Sequence, residues 1–201
     1  MEKNQVSLSI GDIVSNGVSI GMKNFVNLLL ASILWVVTIW IPYLNLGTTI
    51  AMIDIVARLA RGEEISPTGI FDAKYRARIG EFFLFLAFYV AGLVSSYIFL
   101  ATPIVQTAWS LAPFLFVDKD RDPLESLKES NKLTYGHKMT IFLAMIVIYV
   151  AYIVVYLIAA ATGEMIIMLL ALIVGLLTIP IYAGATSYVY NRLTGDGVAA
   201  S

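Results

Sequence analysis

Charge-free runs set the organisation of this chain. Phe25 to Ile53 carries no charged residue, nor does Phe82 to Val117, and from Met139 to Asn191 the only one is Glu164. A helix rising 1.5 Å per residue needs about 20 apolar residues to cross a bilayer core. The third run therefore divides into two crossings, Met139–Ala161 and Met165–Tyr190, around the turn Thr162-Gly163-Glu164. Each of the other two has a proline near its middle, Pro42 and Pro103, where a helix can stop and reverse. That predicts Phe25–Ile41 with Leu44–Ala60, then Phe82–Ala101 with Ile104–Val117. The second helix of each pair is the weaker one. Leu44–Ala60 contains Asp54 and Arg58, and Ile104–Val117 is short.

The positions of the basic residues choose between six crossings and a smaller number of long ones. With six, every Lys and Arg falls on one side. Lys3 and Lys23 precede the first helix; Arg58, Arg61, Lys74, Arg76 and Arg78 lie between the second and third. Lys119, Arg121, Lys128, Lys132 and Lys138 lie between the fourth and fifth, and Arg192 follows the sixth. Cytoplasmic loops carry the Lys/Arg excess, whereas single long spans would place one large basic loop outside. The expected fold is all-α: a polytopic bundle of six transmembrane helices in three hairpins, 25–60, 82–117 and 139–190. Both termini are cytoplasmic, with 191–201 as a tail. Trp40, Tyr43, Tyr97 and Phe99 fall at the outer turns, and Tyr188 and Tyr190 at the inner end of the last helix, as an interfacial belt would.

Segments 8–23, 67–80 and 122–136 precede the three hairpins and read as amphipathic helices on the membrane surface. In the first, Val6, Ile10, Ile13 and Ile20 fall near one face, with Asp12, Ser15, Asn16 and Ser19 on the other. Gly17 and Gly21 weaken its helix propensity, so membrane contact is expected to stabilise it. The third carries clear signals. Asp122 can cap, Pro123 suits the first helical position, Glu125 completes a capping box and Gly136 stops the helix. The similar segments leading into each hairpin read as one unit used three times.

Composition places the chain in the bilayer independently. Hydrophobic residues make up 59% and charged residues 13%, against roughly 45–50% and 25% for ordinary soluble domains. With a net charge of −1 there is no basic excess for nucleic acid. The absence of cysteine removes disulfides, thiol nucleophiles and thiolate metal sites. The first apolar run lacks a small-residue cleavage site and reads as a retained span, not a cleaved signal peptide. The cytoplasmic (inner) membrane is the expected location.

The run Asp122-Pro123-Leu124-Glu125-Ser126-Leu127-Lys128-Glu129-Ser130-Asn131-Lys132-Leu133-Thr134-Tyr135-Gly136-His137-Lys138 has a recognisable pattern: proline, aliphatic, serine, leucine, then glycine before an apolar helix. Arg61-Gly62-Glu63-Glu64-Ile65-Ser66 leading to Ile70-Phe71-Asp72, and the ending Pro180 to Tyr190 with Leu193, belong to the same pattern. It resembles uncharacterised bacterial and archaeal six-helix membrane proteins related to the membrane domain of some glycerophosphodiester phosphodiesterases. The resemblance implies a compact six-helix module. The phosphodiesterase chemistry resides in a separate soluble domain that does not carry over.

Candidate chemistry is sparse. Asp54 is the one acidic residue within a predicted span, where carboxylates are costly and often mark ion pathways. Arg58, four residues on, is placed to pair with it. Tyr149, Tyr152 and Tyr156 share one face of the fifth helix, as a packing stripe or as the lining of a polar cavity. Asn45, Thr48 and Thr49, with Gln106 and Ser110, could form interhelical hydrogen bonds or a polar patch. Ala87, Ala91 and Ser95, and Ala183 and Ser187, are small residues at close-packing spacing. Arg76, Arg78, Lys132, His137 and Lys138 are candidate contacts for lipid headgroups near the inner surface. One histidine without thiols makes no ordinary zinc site, so no metal and no cofactor is expected. Expected partners are the lipid bilayer and a membrane protein or second copy. The leading reading is a non-enzymatic scaffold, accessory subunit or lipid-interacting module; the alternative is a small-solute or ion transporter.

Overall fold

The computed structural model describes residues 7–98 and 101–195, and among these the chain is helical, without a strand. The helices are α1 (Ile10–Lys23), α2 (Phe25–Thr38), α3 (Pro42–Ala60), α4 (Ala73–Arg76), α5 (Ile79–Ile98), α6 (Thr102–Ala108), α7 (Ala112–Asp118), α8 (Pro123–Leu133), α9 (Lys138–Thr162) and α10 (Met165–Thr194). A 3₁₀ turn covers Pro67–Phe71. Helices start and stop where the local chemistry directs. Ser9 caps α1 through its hydroxyl, and Pro42 opens α3. Gly163, left-handed at φ 66°, closes α9.

Four helices, α3, α5, α9 and α10, are long and apolar enough to cross a membrane; a fifth span results if α1 and α2 count as one bent unit. They bend by 79° at Asn24. α2 alone, with 14 residues, spans about 21 Å. The expected fourth helix, 104–117, is broken: α6 and α7 have seven residues each, separated at Trp109–Leu111. Pro113, inside that expected helix, instead opens α7.

α3 is the hub and the most enclosed of the long helices. Its Ile50, Ala51, Ile55 and Leu59 pack with Leu28 and Ala31 of α2, Phe82 and Phe85 of α5 and Phe116 of α7. A second core joins Ile13 of α1, Leu111 and Leu115, Ile141 and Ala144 of α9, and Ala185, Val189 and Tyr190 of α10. By contrast, α9 and α10 leave long apolar faces uncovered, including Val147, Val154, Leu157, Ile166, Leu169 and Ile173.

Two expected surface helices have additional packing roles. α1 crosses α10 at a glycine contact. A Cβ at Gly17 would lie 2.7 Å from the Ala185 Cβ, one at Gly184 would lie 2.7 Å from the Gly21 nitrogen, and one at Gly21 would collide with the Pro180 carbonyl. The glycines that lower helix propensity thus allow backbone-to-backbone approach, as small residues do between membrane helices. α8 is docked into the break between α6 and α7. Ser130 Oγ donates to the Ala108 carbonyl at 2.7 Å and accepts from the Leu111 amide at 3.2 Å, while Thr134 Oγ1 donates to the same carbonyl at 3.3 Å. Backbone groups released by the break are therefore bonded from a neighbouring helix. Asp122 caps α8 by accepting from the Leu124 amide at 2.9 Å. Glu125 does not close the expected capping box among the described contacts; its carboxylate faces Arg121 at 3.8 Å.

Candidate functional site

Asp54 is held by a residue that sequence spacing does not bring to it. Tyr75, buried in α4 within the 67–80 segment, donates its hydroxyl to Asp54 Oδ2 at 2.6 Å. Burial, then the bond to Asp54 and its charge, push the Tyr75 phenol upward, so it stays protonated and donating. The expected Asp54–Arg58 ion pair is replaced. Arg58 Nε bonds Glu63 at 2.9 Å and Nη2 reaches the Glu64 carbonyl at 2.7 Å. At the end of α3, Arg58 is better placed to close the following turn than to reach back along the helix.

The basic candidates divide by engagement. Arg78 is committed to structure: Nη1 and Nη2 donate to the Val117 and Phe116 carbonyls at 3.1 and 3.0 Å. Nη2 also lies 2.8 Å from Asp120, and the guanidinium sits 4.7 Å from the Phe116 ring centre. It caps the last turn of α7 and satisfies carbonyls that otherwise lack partners. Arg76 bonds the Phe71 carbonyl at 3.0 Å, with its stem against Gly47. Lys138 Nζ reaches Asn131 Oδ1 at 2.7 Å. His137 is half-buried at the start of α9 and makes no side-chain cap. Lys132 is exposed on α8.

Asp118 is the centre of a fastening between three helix ends. Arg61 Nη1 pairs with Asp118 Oδ1, the Tyr190 hydroxyl donates to Oδ2 at 2.8 Å, and Lys119 Nζ lies at 3.9 Å. Asn191 Nδ2 donates to the Ala60 carbonyl. Arg61 also bonds Glu63 at 2.5 Å. That bond above all, against an opposing effect of burial and with help from Arg58, holds the Glu63 carboxyl below its usual range. The ends of α3, α7 and α10 are thereby joined. The only sequence signal was the position of Tyr190 at a helix end, which fits an interfacial belt equally well.

The tyrosine stripe faces a groove. Tyr149, Tyr152 and Tyr156 of α9 line a cavity of about 820 Å³ with Gly175, Thr178 and Tyr182 of α10. Tyr149 meets Tyr182 with ring centres 5.5 Å apart, and Tyr152 meets Tyr156 at 6.0 Å. Tyr149 and Tyr182 also line a second cavity of about 500 Å³, with Gln106, Ser110 and Thr186 among its walls. The two spaces thus share the Tyr149–Tyr182 pair. Residues Asn45, Thr48 and Thr49 do not join them: Asn45 Nδ2 donates to Thr38 Oγ1 at 3.1 Å, Thr38 and Thr48 share a 2.8 Å bond, and Trp35 donates to Thr49 at 2.9 Å. They fasten α2 to α3.

Among the described residues no group of three or more His, Asp or Glu side chains is arranged to hold a metal ion. Compared with protein-family profiles, curated proteins and solved structures, the chain matches none.

Proposed function

We propose that the chain is a non-enzymatic integral membrane module of the cytoplasmic membrane, acting as a scaffold, accessory subunit or lipid-interacting partner. In this reading it crosses the membrane six times as three hairpins, with both termini cytoplasmic and α6 plus α7 forming a broken fourth crossing. The observation that carries the reading is the commitment of its polar groups to its own packing. Asp54 is bonded by Tyr75, the α2–α3 polar residues bond one another, and Arg78 caps α7. Transport through Asp54 would require that carboxylate to be released to a solute or ion, which ranks transport second. Kinship with the membrane domain attached to some glycerophosphodiester phosphodiesterases is part of the proposal and rests on the pattern around 122–138.

The test uses the absence of native cysteine, which makes any introduced thiol the sole reporter. Exposed Lys74, Lys128 and Glu164 are replaced singly by Cys in sealed vesicles of known orientation and treated with a membrane-impermeant maleimide. Lys74→Cys and Lys128→Cys are expected to label from the cytoplasmic face and Glu164→Cys from the opposite one. Labelling of Lys74→Cys and Lys128→Cys from opposite faces would overturn the six-crossing arrangement.

A further inference from the structure

The geometry points to the joined cavities between α6, α9 and α10 as a binding site, and we propose that its ligand is an uncharged single-chain amphiphile. Such a molecule has one long hydrocarbon tail and a small head carrying both hydroxyl and carbonyl oxygens. The inference rests on the proposed membrane function and adds the chemistry of the bound molecule.

The shape has two compartments. The larger, about 820 Å³, is an apolar groove between α9 and α10 running from Tyr149 and Tyr182 to Gly163. The smaller, about 500 Å³, adjoins it at the same tyrosine pair and contains the polar side chains of Gln106, Ser110 and Thr186. Small-molecule sites commonly fall in this size range, mostly apolar with a few fixed polar groups, and lie between the helices of bundles.

The lining selects the head. No charged residue borders either compartment among the described residues. An ionised head without a counter-charge in so apolar a site would be left uncompensated after desolvation, so the head is neutral. Ser110 Oγ donates to the Thr107 carbonyl and Thr186 Oγ1 to the Tyr182 carbonyl, both at 2.8–2.9 Å, which leaves their oxygen lone pairs as acceptors. The Gln106 amide and Tyr149 hydroxyl take part in no hydrogen bond with any described residue. They are available to donate. A head with both a hydroxyl and a carbonyl satisfies both sets, whereas a bare hydrocarbon satisfies neither.

Depth separates this ligand from ordinary phospholipid. Tyr182 lies two turns of α10, about 12 Å along the helix, from Tyr190, whose hydroxyl is fixed at the basic end of the bundle; in the proposed membrane arrangement this puts the tyrosine pair inside the hydrocarbon. At such a depth water does not satisfy polar groups, so each must find a partner in the protein or the ligand. A phospholipid in its own leaflet can lay a chain in the groove, but its head remains at the surface, out of reach of Gln106. A free single-chain amphiphile can place its head at that depth. A monoacylglycerol has this chemistry.

The full chain in phosphatidylcholine nanodiscs is titrated with monoolein, 1-octadecene and ionised oleate, and adducts are counted by native mass spectrometry. One equivalent of monoolein is expected, at least about tenfold tighter than octadecene or oleate. Gln106→Leu and Tyr149→Phe each reduce that affinity about tenfold with an unchanged melting temperature. Ala160→Phe, at an exposed position of the groove wall, blocks the tail. Equal occupancy by all three probes, or unchanged affinity in the Gln106→Leu/Tyr149→Phe double variant, would overturn the assignment. If the cysteine reporters show correct insertion while no probe binds, the ligand assignment alone fails.

Discussion

A carboxylate inside an apolar helix is stable only when its charge is met, and here one phenol meets it. The Tyr75–Asp54 bond ties the 67–80 segment to α3 across 21 residues of sequence. Tyr75→Phe removes the one donor to Asp54 among the described residues and is expected to lower stability by about 1–2 kcal/mol, measured by denaturant titration in mild detergent. Because the cost arises from leaving the carboxylate unmet, adding Asp54→Asn to Tyr75→Phe should recover part of the loss. Glu63 brings a pH dependence. Its carboxyl is held low chiefly by the Arg61 bond, so its contribution is fully present above the unfolded glutamate value of about 4.3. That contribution fades as pH falls through the lower folded value. Hydrogen exchange in 61–66 should therefore accelerate on acidification below about pH 4, and Glu63→Gln should remove that pH dependence. None of these partnerships was legible in sequence. Spacing along one helix suggested Arg58 for Asp54, while the true partner arrives from another segment, and spacing carries no information about such meetings.

Elements were read more successfully than contacts. The charge-free runs locate α2, α3, α5, α9 and α10 because burial in hydrocarbon imposes composition directly on each long helix. The break at Trp109–Leu111 was not legible, since its stabilising partners, Ser130 and Thr134, lie on α8 and just past its end. Ser130→Val removes both an acceptor for the Leu111 amide and a donor to the Ala108 carbonyl, and is expected to cost about 2–3 kcal/mol, again read by denaturant titration. Ser130→Thr retains the hydroxyl and should lose less. The glycines separate by neighbourhood in the same way. Gly184→Leu must force α1 from α10 and should cost at least about 3 kcal/mol. Gly80, with nothing within 4 Å of an added Cβ and no positive φ, should accept alanine with a neutral or slightly stabilising effect of up to about 1 kcal/mol. Thermal denaturation of the two variants side by side distinguishes a contact glycine from an unconstrained one.

Across the whole molecule, two kinds of surface coexist. α3 is enclosed by its neighbours, whereas α2, α5, α9 and α10 each expose much of their apolar surface. Ion pairs collect at the end of the bundle where α3, α7 and α10 finish. The same residues that the positive-inside rule uses for orientation therefore also hold helix ends together. Arg61 and Arg78 do both, which is why charge counting reads the expected orientation but misses the fastening.

The crossing of α1 over α10 has a consequence in time. Gly21 leaves the ribosome about 160 residues ahead of Gly184, and at about 5–20 residues per second that is an interval on the order of ten to thirty seconds. During that interval the first helix exists while its partner does not, with Ile13 and the glycine face uncovered. A nascent chain halted before residue 180 should keep α1 accessible to protease or to lipid. Release of the complete chain should protect it. The amphipathic pattern of residues 8–23 suits that waiting period, and the glycines suit the later docking, so one short segment carries instructions for two successive addresses.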